Sequence, residues 1–180
     1  MSATTPPDWE RLLSAAAHLQ NLLPGATLVG GTAAAIYARH RLSYDADHVL
    51  PDLRQRFDEV VAQLESVAGW RTARVARPVL ILGSLDGIET GVMQLIREEP
   101  LEVQEVTIGG VSLRVPTEAE LLRIKGALIL VRNATRDYLD FAALAEEKEL
   151  ALRLVPTRLA VHSDPVLLER ILRNLIANAL

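Results

Sequence analysis

The sequence predicts an α+β protein in which a mixed sheet is flanked by helices. Apolar residues recur at helical spacing near the N-terminus and again after Pro116, whereas residues 70–115 follow the alternation of strands. Two turn signals, Asp86-Gly87 and Gly109-Gly110, divide this middle part into hairpins. With 180 residues and 49% hydrophobic content, the chain is long enough for one ordinary domain with a small appendage.

The N-terminal third is predicted to alternate helices with short strands. Asp8 can cap a first helix, which ends at Pro24-Gly25. An amphipathic pattern predicts another helix that ends at Gly69. The predicted segments between these points are a strand over 26–29, an alanine-rich helix over 32–40, a strand over 45–50 and the amphipathic helix over 53–68.

The rest of the first 149 residues is predicted to form strands and then a helical hairpin. The predicted strands, which would build a mixed or antiparallel sheet of about five strands, cover residues 70–76, 79–85, 88–96, 101–108 and 111–115. Thr117 and Glu120 form a capping-box pattern at the start of a helix that runs to about residue 131. A second helix begins near Ala134, so the two helices form a hairpin behind the sheet.

Composition restricts the possible functions. The net charge of −4 gives no global basic surface for DNA, so contact with nucleic acid would require a local patch. The absence of Cys removes thiolate catalysis and thiolate zinc sites. The N-terminus lacks the pattern of a signal peptide, and no apolar run reaches the roughly 18 residues of a membrane span. We therefore expect a cytoplasmic protein without a membrane partner.

A glycine-rich turn, Gly30-Gly31-Thr32, follows a predicted strand and opens a predicted helix. Glycine lets the backbone approach a ligand, and the N–H groups at a helix start attract phosphate oxygens. The Thr32 hydroxyl would add a further donor. By itself, a Gly-Gly pair before a helix is more typical of a simple tight turn.

Two aspartates follow on the next predicted strand. Asp45 and Asp47 are two residues apart, so their side chains share one face of the strand. Aspartate is uncommon in strands, and paired carboxylates suit the Mg²⁺ that accompanies a nucleoside triphosphate. Together with the glycine-rich turn, this pair predicts nucleotidyl transfer with one or two Mg²⁺ ions.

The motifs resemble those of AbiEii/AbiGii-type nucleotidyltransferases of the polymerase-β-like superfamily. The resemblance covers about residues 28–141 and includes Gly30-Gly31-Thr32, the segment His40–Asp47, Lys125 and the segment Arg136–Asp140, in the order found in that family. It implies a nucleotidyltransferase-like mixed sheet, an NTP substrate and an RNA or protein acceptor. It also implies a possible role as the toxin of a toxin–antitoxin pair, with an antitoxin protein as partner.

The candidate site residues follow from the motifs and from their chemistry. The catalytic candidates are Asp45, Asp47, Lys125, Asp137 and Asp140, and the NTP-binding candidates are Gly30, Gly31, Thr32, Arg41, Ser43 and Lys125. Lys125, one of only two lysines, would neutralise charge as pyrophosphate leaves. Asp137 and Asp140 share a helix face and could orient Lys125, bind the nucleobase or ribose, or position the acceptor. Equally, they could form surface ion pairs with Arg132 or Arg136.

A third carboxylate and two histidines complete the candidates. Many members of the superfamily have a third acidic residue on a neighbouring strand, and Glu89, just after the Asp86-Gly87 turn, is the candidate for that metal ligand. Glutamate at a hairpin edge is, however, commonly only solvated. His40 and His48 are expected to make structural hydrogen bonds rather than to bind metal.

The last thirty residues have a different character. The segment Asp164–Leu180 resembles the N-box helix of a sensor histidine kinase, in which Asn178 would match the Mg²⁺-coordinating Asn. The glycine-rich lid motifs that enclose ATP in that family do not follow. We therefore predict two parts: a nucleotidyltransferase-like domain over 1–149, and a strand–helix tail over 150–180 without kinase function. Two other functions remain open, namely a non-catalytic nucleotide-binding or interaction module with a degenerate site, and a fragment of a signalling kinase.

Overall fold

The computed structural model describes residues 6–150, except residues 42 and 133. Helices and strands alternate in the first half of this region. The helices are α1 (Pro6–Leu22), α2 (Gly30–Ala38), α3 (Phe57–Glu65), α4 (Glu118–Arg132) and α5 (Thr135–Glu147). The strands are β1 (Thr27–Leu28), β2 (Asp45–Leu50), β3 (Trp70–Ala76), β4 (Leu80–Leu85), β5 (Ile88–Gln94), β6 (Val103–Ile108) and β7 (Val111–Pro116). The predicted tail lies almost entirely outside the described residues.

The main sheet is mixed, which confirms the predicted α+β class. Its strand order is β1-β2-β5-β4-β3, and only the β2–β5 pair is parallel. The parallel register sets Asp45 beside Glu89 and Asp47 beside Gly91. Strands β6 and β7 form a separate two-stranded sheet, and β7 packs against α1. The prediction that they belong to one sheet with the strands over 70–96 was therefore wrong, and β1 and β2 complete the five-stranded sheet instead.

The two predicted hairpin turns are present. Asp86 and Gly87 both have positive φ angles, 53° and 81°, between the paired residues Leu85 and Ile88. Gly109 and Gly110 do the same between β6 and β7, with φ angles of 56° and 79°. Positive φ at both central residues defines the turn that matches the twist of hairpin strands. The local sequence was therefore sufficient to place both turns.

Three predicted helix boundaries differ from the structure. Helix α1 begins at Pro6, before the predicted cap Asp8, and proline is well suited to a first helical turn. Helix α2 begins at Gly30 rather than at residue 32. Helix α3 begins at Phe57 instead of residue 53, because the Asp52 carbonyl accepts bonds from the N–H groups of residues 55 and 56 and forms a turn there.

Two apolar clusters share the N-terminal helical segment, one at its first turns and the other at its end. Leu12 and Leu13 belong to a cluster that joins α1, α2, β7, α4 and α5. Leu19 and Leu23 belong to a second cluster with α3 and the strands β3, β4 and β5. The successive turns of one amphipathic segment thus stabilise both halves of the domain.

Helices α4 and α5 form the predicted hairpin, and α5 also packs against α2. The Thr117 hydroxyl accepts a 3.3 Å bond from the Glu120 N–H, as expected for the cap. The Glu120 carboxylate does not return to the cap but pairs with Arg97 and Arg123. None of the helices in the described part of the chain is long and apolar enough to span a membrane.

Candidate active site

Strand β2 presents Asp45 and Asp47 on one face, as the alternation predicted. Both are partly exposed, whereas Ala46 and His48 are buried on the opposite face. The Ser43 hydroxyl donates a 2.7 Å hydrogen bond to Asp45 Oδ1. A carboxylate that accepts such a bond is held in one orientation, so Ser43 contributes to the site through Asp45.

The Asp47 carboxylate lies between the start of α2 and strand β5. A Cβ atom added to Gly30 would be 3.7 Å from Asp47 Oδ2, and one added to Gly91 would be only 2.7 Å from Asp47 Oδ1. Burial raises the pKa of Asp47, and the negative charge of Asp45 raises it further. The paired carboxylates are therefore close enough to repel each other, which is the condition that a cation relieves.

Hydrogen bonds attach the start of α2 to β2. The Val29 N–H donates to the Asp47 carbonyl over 2.8 Å, and the Thr32 hydroxyl donates to the Asp45 carbonyl over 2.5 Å. Gly30, with a φ of 76°, makes the turn between β1 and α2. Thr32 is fully buried, so its hydroxyl has a structural bond here, and its part in NTP binding stays a prediction.

Arg41 occupies the space that Gly31 leaves open. A Cβ atom at Gly31 would lie 2.5 Å from Arg41 Nη2 and 2.9 Å from Ser43 Oγ. The guanidinium is held by Asp140, with Nε 2.6 Å from Oδ1 and Nη2 3.0 Å from Oδ2. Such a two-bond contact fixes both the position and the plane of the guanidinium. The second glycine of the motif therefore admits an arginine side chain.

Asp140 is the centre of a buried charge cluster. Besides Arg41, it accepts a 2.8 Å bond from His40 Nε2 and a 2.6 Å bond from Lys125 Nζ. Burial opposes ionisation of Asp140, but the bonds from Arg41, Lys125 and His40 outweigh it and lower its pKa to about 2. This carboxylate is thus ionised at neutral pH.

Asp137 lies beside Asp140 in this cluster. Its Oδ1 is 3.4 Å from Lys125 Nζ, and its Oδ2 has no hydrogen-bond partner among the described residues. Asp137 is 1% exposed and Lys125 3% exposed, so neither is a surface group. Both aspartates contact Lys125, which is the arrangement that orientation of Lys125 would require, and that role stays a prediction. The alternative of surface ion pairs with Arg132 or Arg136 is wrong, because helix α5 turns both aspartates inward.

Glu89 lies on the same face as Asp45 but does not join a closed ligand set. It is exposed at the start of β5, directly beside Asp45 in the parallel register. The described residues contain no group of three or more His, Cys, Asp or Glu side chains that could hold a metal. The structure thus offers a two-carboxylate site, and Glu89 as a ligand stays a prediction.

The two predicted structural histidines make the expected kind of bond. His40 contacts Asp140, and the His48 Nδ1–H donates to the Ala46 carbonyl over 2.9 Å. Burial lowers the pKa of His48 to about 4, so this ring is neutral at physiological pH.

Sequence reasoning missed two features of the site. It did not identify the space that Gly91 leaves for Asp47, because that contact depends on parallel pairing between distant strands. It also gave Arg132 and Arg136 no role at the site beyond ion pairing and the motif that begins at Arg136, although both are exposed and both lower the pKa of Asp47. The sequence signal that could have identified them is the position of both arginines at the junction of two predicted helices.

Comparison with known proteins gives a short sequence match and extensive structural matches. No family model matches the chain. A segment of 51 residues, 28% of this chain, is 47% identical to the heme uptake protein MmpL11 of Mycobacterium tuberculosis and to the probable transport protein MmpL11 of Mycobacterium bovis. The match spans only 5% of the length of those curated relatives.

Three solved structures are similar over most of the chain. An antigenic nucleotidyltransferase-like protein from Paracoccidioides brasiliensis has a TM-score of 0.59 at 16% identity and covers 79% of this chain and 77% of its own. The ANT(2″)-Ia complex with adenylyl-2″-tobramycin has a TM-score of 0.55 at 15% identity, covering 94% and 95%. The lincosamide antibiotic adenylyltransferase LnuA, with lincomycin bound, has a TM-score of 0.52 at 11% identity, covering 81% and 99%. The chain therefore has the nucleotidyltransferase fold.

Proposed function

We propose that this protein is an NTP-dependent nucleotidyltransferase that uses Mg²⁺. The observation that carries the proposal is the Asp45–Asp47 pair on one face of β2, directly against the glycine turn that opens α2. A carboxylate pair and the N–H groups of a helix start are complementary to a metal-bound triphosphate. Two of the similar structures support the proposal. One contains an adenylylated antibiotic, adenylyl-2″-tobramycin, and the other is named as an antibiotic adenylyltransferase.

The residues present fit a magnesium ion. Mg²⁺ prefers oxygen ligands and is commonly bound by one or two carboxylates together with substrate phosphates. Asp45 and Asp47 would hold it. Burial, and then the charge of Asp45, raise the pKa of Asp47, and a bound cation would favour the ionised form of both carboxylates. When bound, Mg²⁺ supplies positive charge to the phosphates and lowers the pKa of a coordinated hydroxyl.

The chain's own groups orient the nucleotide. Ser43 fixes Asp45, and the bond from Val29 to Asp47 holds the start of α2 beside the carboxylates. The N–H groups that begin α2 would donate to phosphate oxygens of the nucleotide. Arg41, held in place by Asp140, lies over Gly31 at the same helix start. Lys125, Arg41 and His40 together keep the Asp140 carboxylate charged and in position. Any direct contact of Lys125 with phosphate stays a prediction.

The acceptor and the biological role are finer proposals. Resemblance to AbiEii/AbiGii-type enzymes supports an RNA or protein acceptor, and with it a toxin that a separate antitoxin protein controls. The structural neighbours with antibiotic ligands instead support a small hydroxylated acceptor. Both acceptor classes provide a hydroxyl that attacks the α-phosphorus of the NTP.

A labelling experiment tests the proposal. The full chain is incubated with each α-³²P-labelled NTP, Mg²⁺ and total RNA, and label is sought on RNA and on the protein itself. Asp47→Asn should reduce transfer by about 10²-fold or more, because it removes a ligand charge without changing volume. Asp58→Asn, which removes an exposed carboxylate on α3, is the matched control and should leave transfer unchanged. Equal transfer by wild type and Asp47→Asn would remove Asp47 from the mechanism.

A non-catalytic nucleotide-binding module is the second candidate. The observation in its favour is the two-carboxylate site, in which the described residues provide no third ligand. Saturable binding of a magnesium nucleotide without label transfer to any acceptor would support this function.

A further inference from the structure

We propose that Arg132 and Arg136 bind the β- and γ-phosphates of the NTP and neutralise the pyrophosphate that leaves. This inference rests on the proposed function and identifies which cations serve the triphosphate. The sequence assigned that task to Lys125. The structure assigns it to two arginines at the junction of α4 and α5.

The ammonium group of Lys125 is buried and already paired with carboxylates of the protein. Its ammonium is 3% exposed and lies 2.6 Å from Asp140 and 3.4 Å from Asp137. Arg41 shares the Asp140 carboxylate, so two cations face two carboxylates in this cluster. The positive charge of Lys125 is therefore already paired with these carboxylates.

Arg132 and Arg136 have the opposite properties. Both are exposed, and within the described residues neither forms a salt bridge. Arg132 is the last residue of α4, and Arg136 is the second residue of α5. Their guanidinium groups are thus available to a ligand, whereas Arg123, earlier on α4, is already paired with Glu102 and Glu120.

The fold places this junction beside the metal-binding face. Asp140, one turn after Arg136, contacts Arg41 and His40, which precede β2. Helix α5 also packs against α2, whose first residues lie against Asp47.

The chemistry of transfer requires cations at this place. The acceptor oxygen forms a bond to the α-phosphorus and loses its proton to solvent or to a base. The bond from the α-phosphorus to the bridging oxygen breaks, and that oxygen leaves with the electron pair as part of pyrophosphate. Guanidinium groups bind phosphate oxygens through two parallel N–H bonds, so two of them at the α4–α5 junction would stabilise the leaving group.

The test uses inorganic tripolyphosphate with Mg²⁺, because this probe contains the phosphates without base or sugar. Its affinity is measured by calorimetry for the wild-type full chain and for the double variant Arg132→Ala/Arg136→Ala. We expect the double variant to bind about tenfold more weakly or worse, since it loses charge-assisted hydrogen bonds. Arg71→Ala/Arg74→Ala removes two exposed arginines from β3 and is the matched control, which should bind as the wild type does.

Each alternative result has a distinct meaning. No binding by the wild type, unchanged affinity in the Arg132/Arg136 variant, or equal weakening in the control would overturn the inference. Unchanged affinity for tripolyphosphate with a loss of RNA binding would instead place the acceptor at these arginines. The wild type could transfer no label while the Arg132/Arg136 variant binds tripolyphosphate more weakly than the wild type does. That result would support the phosphate site and contradict the proposed enzymatic function.

Discussion

At the residue scale, Gly91 determines where the Asp47 carboxylate lies. A Cβ atom at position 91 would be 2.7 Å from Asp47 Oδ1, closer than real Cβ contacts. Gly91 has no positive φ, so alanine fits its backbone, and only the carboxylate or a neighbouring side chain must move. A substitution at position 91 can therefore move the Asp47 carboxylate without changing its charge.

We predict that Gly91→Ala reduces nucleotide transfer by about 10²-fold, because displacement of a reacting group by about 1 Å has costs of that size. The measurement is initial label transfer at saturating Mg²⁺. Gly110→Ala is the control: nothing lies within 4 Å of its added Cβ, but its φ of 79° strains alanine and lowers stability. Loss of transfer in both variants would mean that reduced stability, not the position of Asp47, explains the effect.

The same residues show what sequence could and could not supply. Asp45 and Asp47 were predictable as a pair because a strand has a period of two, which is a local property. The contact of Asp47 with Gly91 depends on the pairing of β2 with β5, and these strands are separated in the sequence by α3, β3 and β4. The contacts of Asp140 with His40 and Arg41 could not be predicted either, because residues 40 and 41 are about a hundred positions away.

At the element scale, strand β2 has two faces with opposite chemistry. Asp45 and Asp47 are on the candidate active-site face, whereas Ala46, His48 and Leu50 are buried on the other. The His48 ring donates to the Ala46 carbonyl and is neutral, since burial lowers its pKa to about 4 from 6.5. Protonation of this ring would place a charge inside the core.

We predict that stability decreases between pH 6.5 and pH 4 through His48. A base whose pKa is lower in the folded state binds more protons when unfolded, so its stabilisation is complete above pH 6.5 and is lost as the pH falls toward 4. The shift corresponds to about 3 kcal/mol in the free energy of unfolding.

Urea unfolding at several pH values measures this loss. His48→Gln should flatten the slope, whatever its effect on stability at pH 7. His18→Gln, which alters a histidine exposed on α1, should retain the slope. A wild-type protein with the same unfolding free energy at pH 7 and pH 4.5 would contradict the prediction.

Element boundaries were predictable where the sequence has strong local signals. The Asp86-Gly87 and Gly109-Gly110 turns fixed the hairpins, and Thr117 fixed the start of α4. The start of α3 was missed because the turn around Asp52 uses residues that also fit a helical pattern. The separation of β6 and β7 from the main sheet is a matter of tertiary packing against α1, which periodicity does not encode.

At the scale of the whole molecule, residues 6–150 contain both core clusters and all the candidate site residues. The first cluster joins α1, α2, β7, α4 and α5, and the buried ion pairs of Asp140 connect α4 and α5 to the segment before β2. Leu150, the last described residue, still packs against this cluster. No described contact of the site requires residues from beyond this point.

We predict that a chain truncated after residue 150 transfers nucleotide as the full chain does. The reason is that the carboxylate pair, the glycine turn and the arginines of the α4–α5 junction all remain within the retained core. The measurement compares label transfer and thermal unfolding of the two chains. Loss of transfer by a truncated chain that still unfolds cooperatively would assign residues 151–180 to the site. Labelling of the full chain by γ-³²P-ATP, abolished by the truncation, would instead support the resemblance of the tail to a histidine kinase, because autophosphorylation moves the γ-phosphate and nucleotidyl transfer moves the α-phosphate.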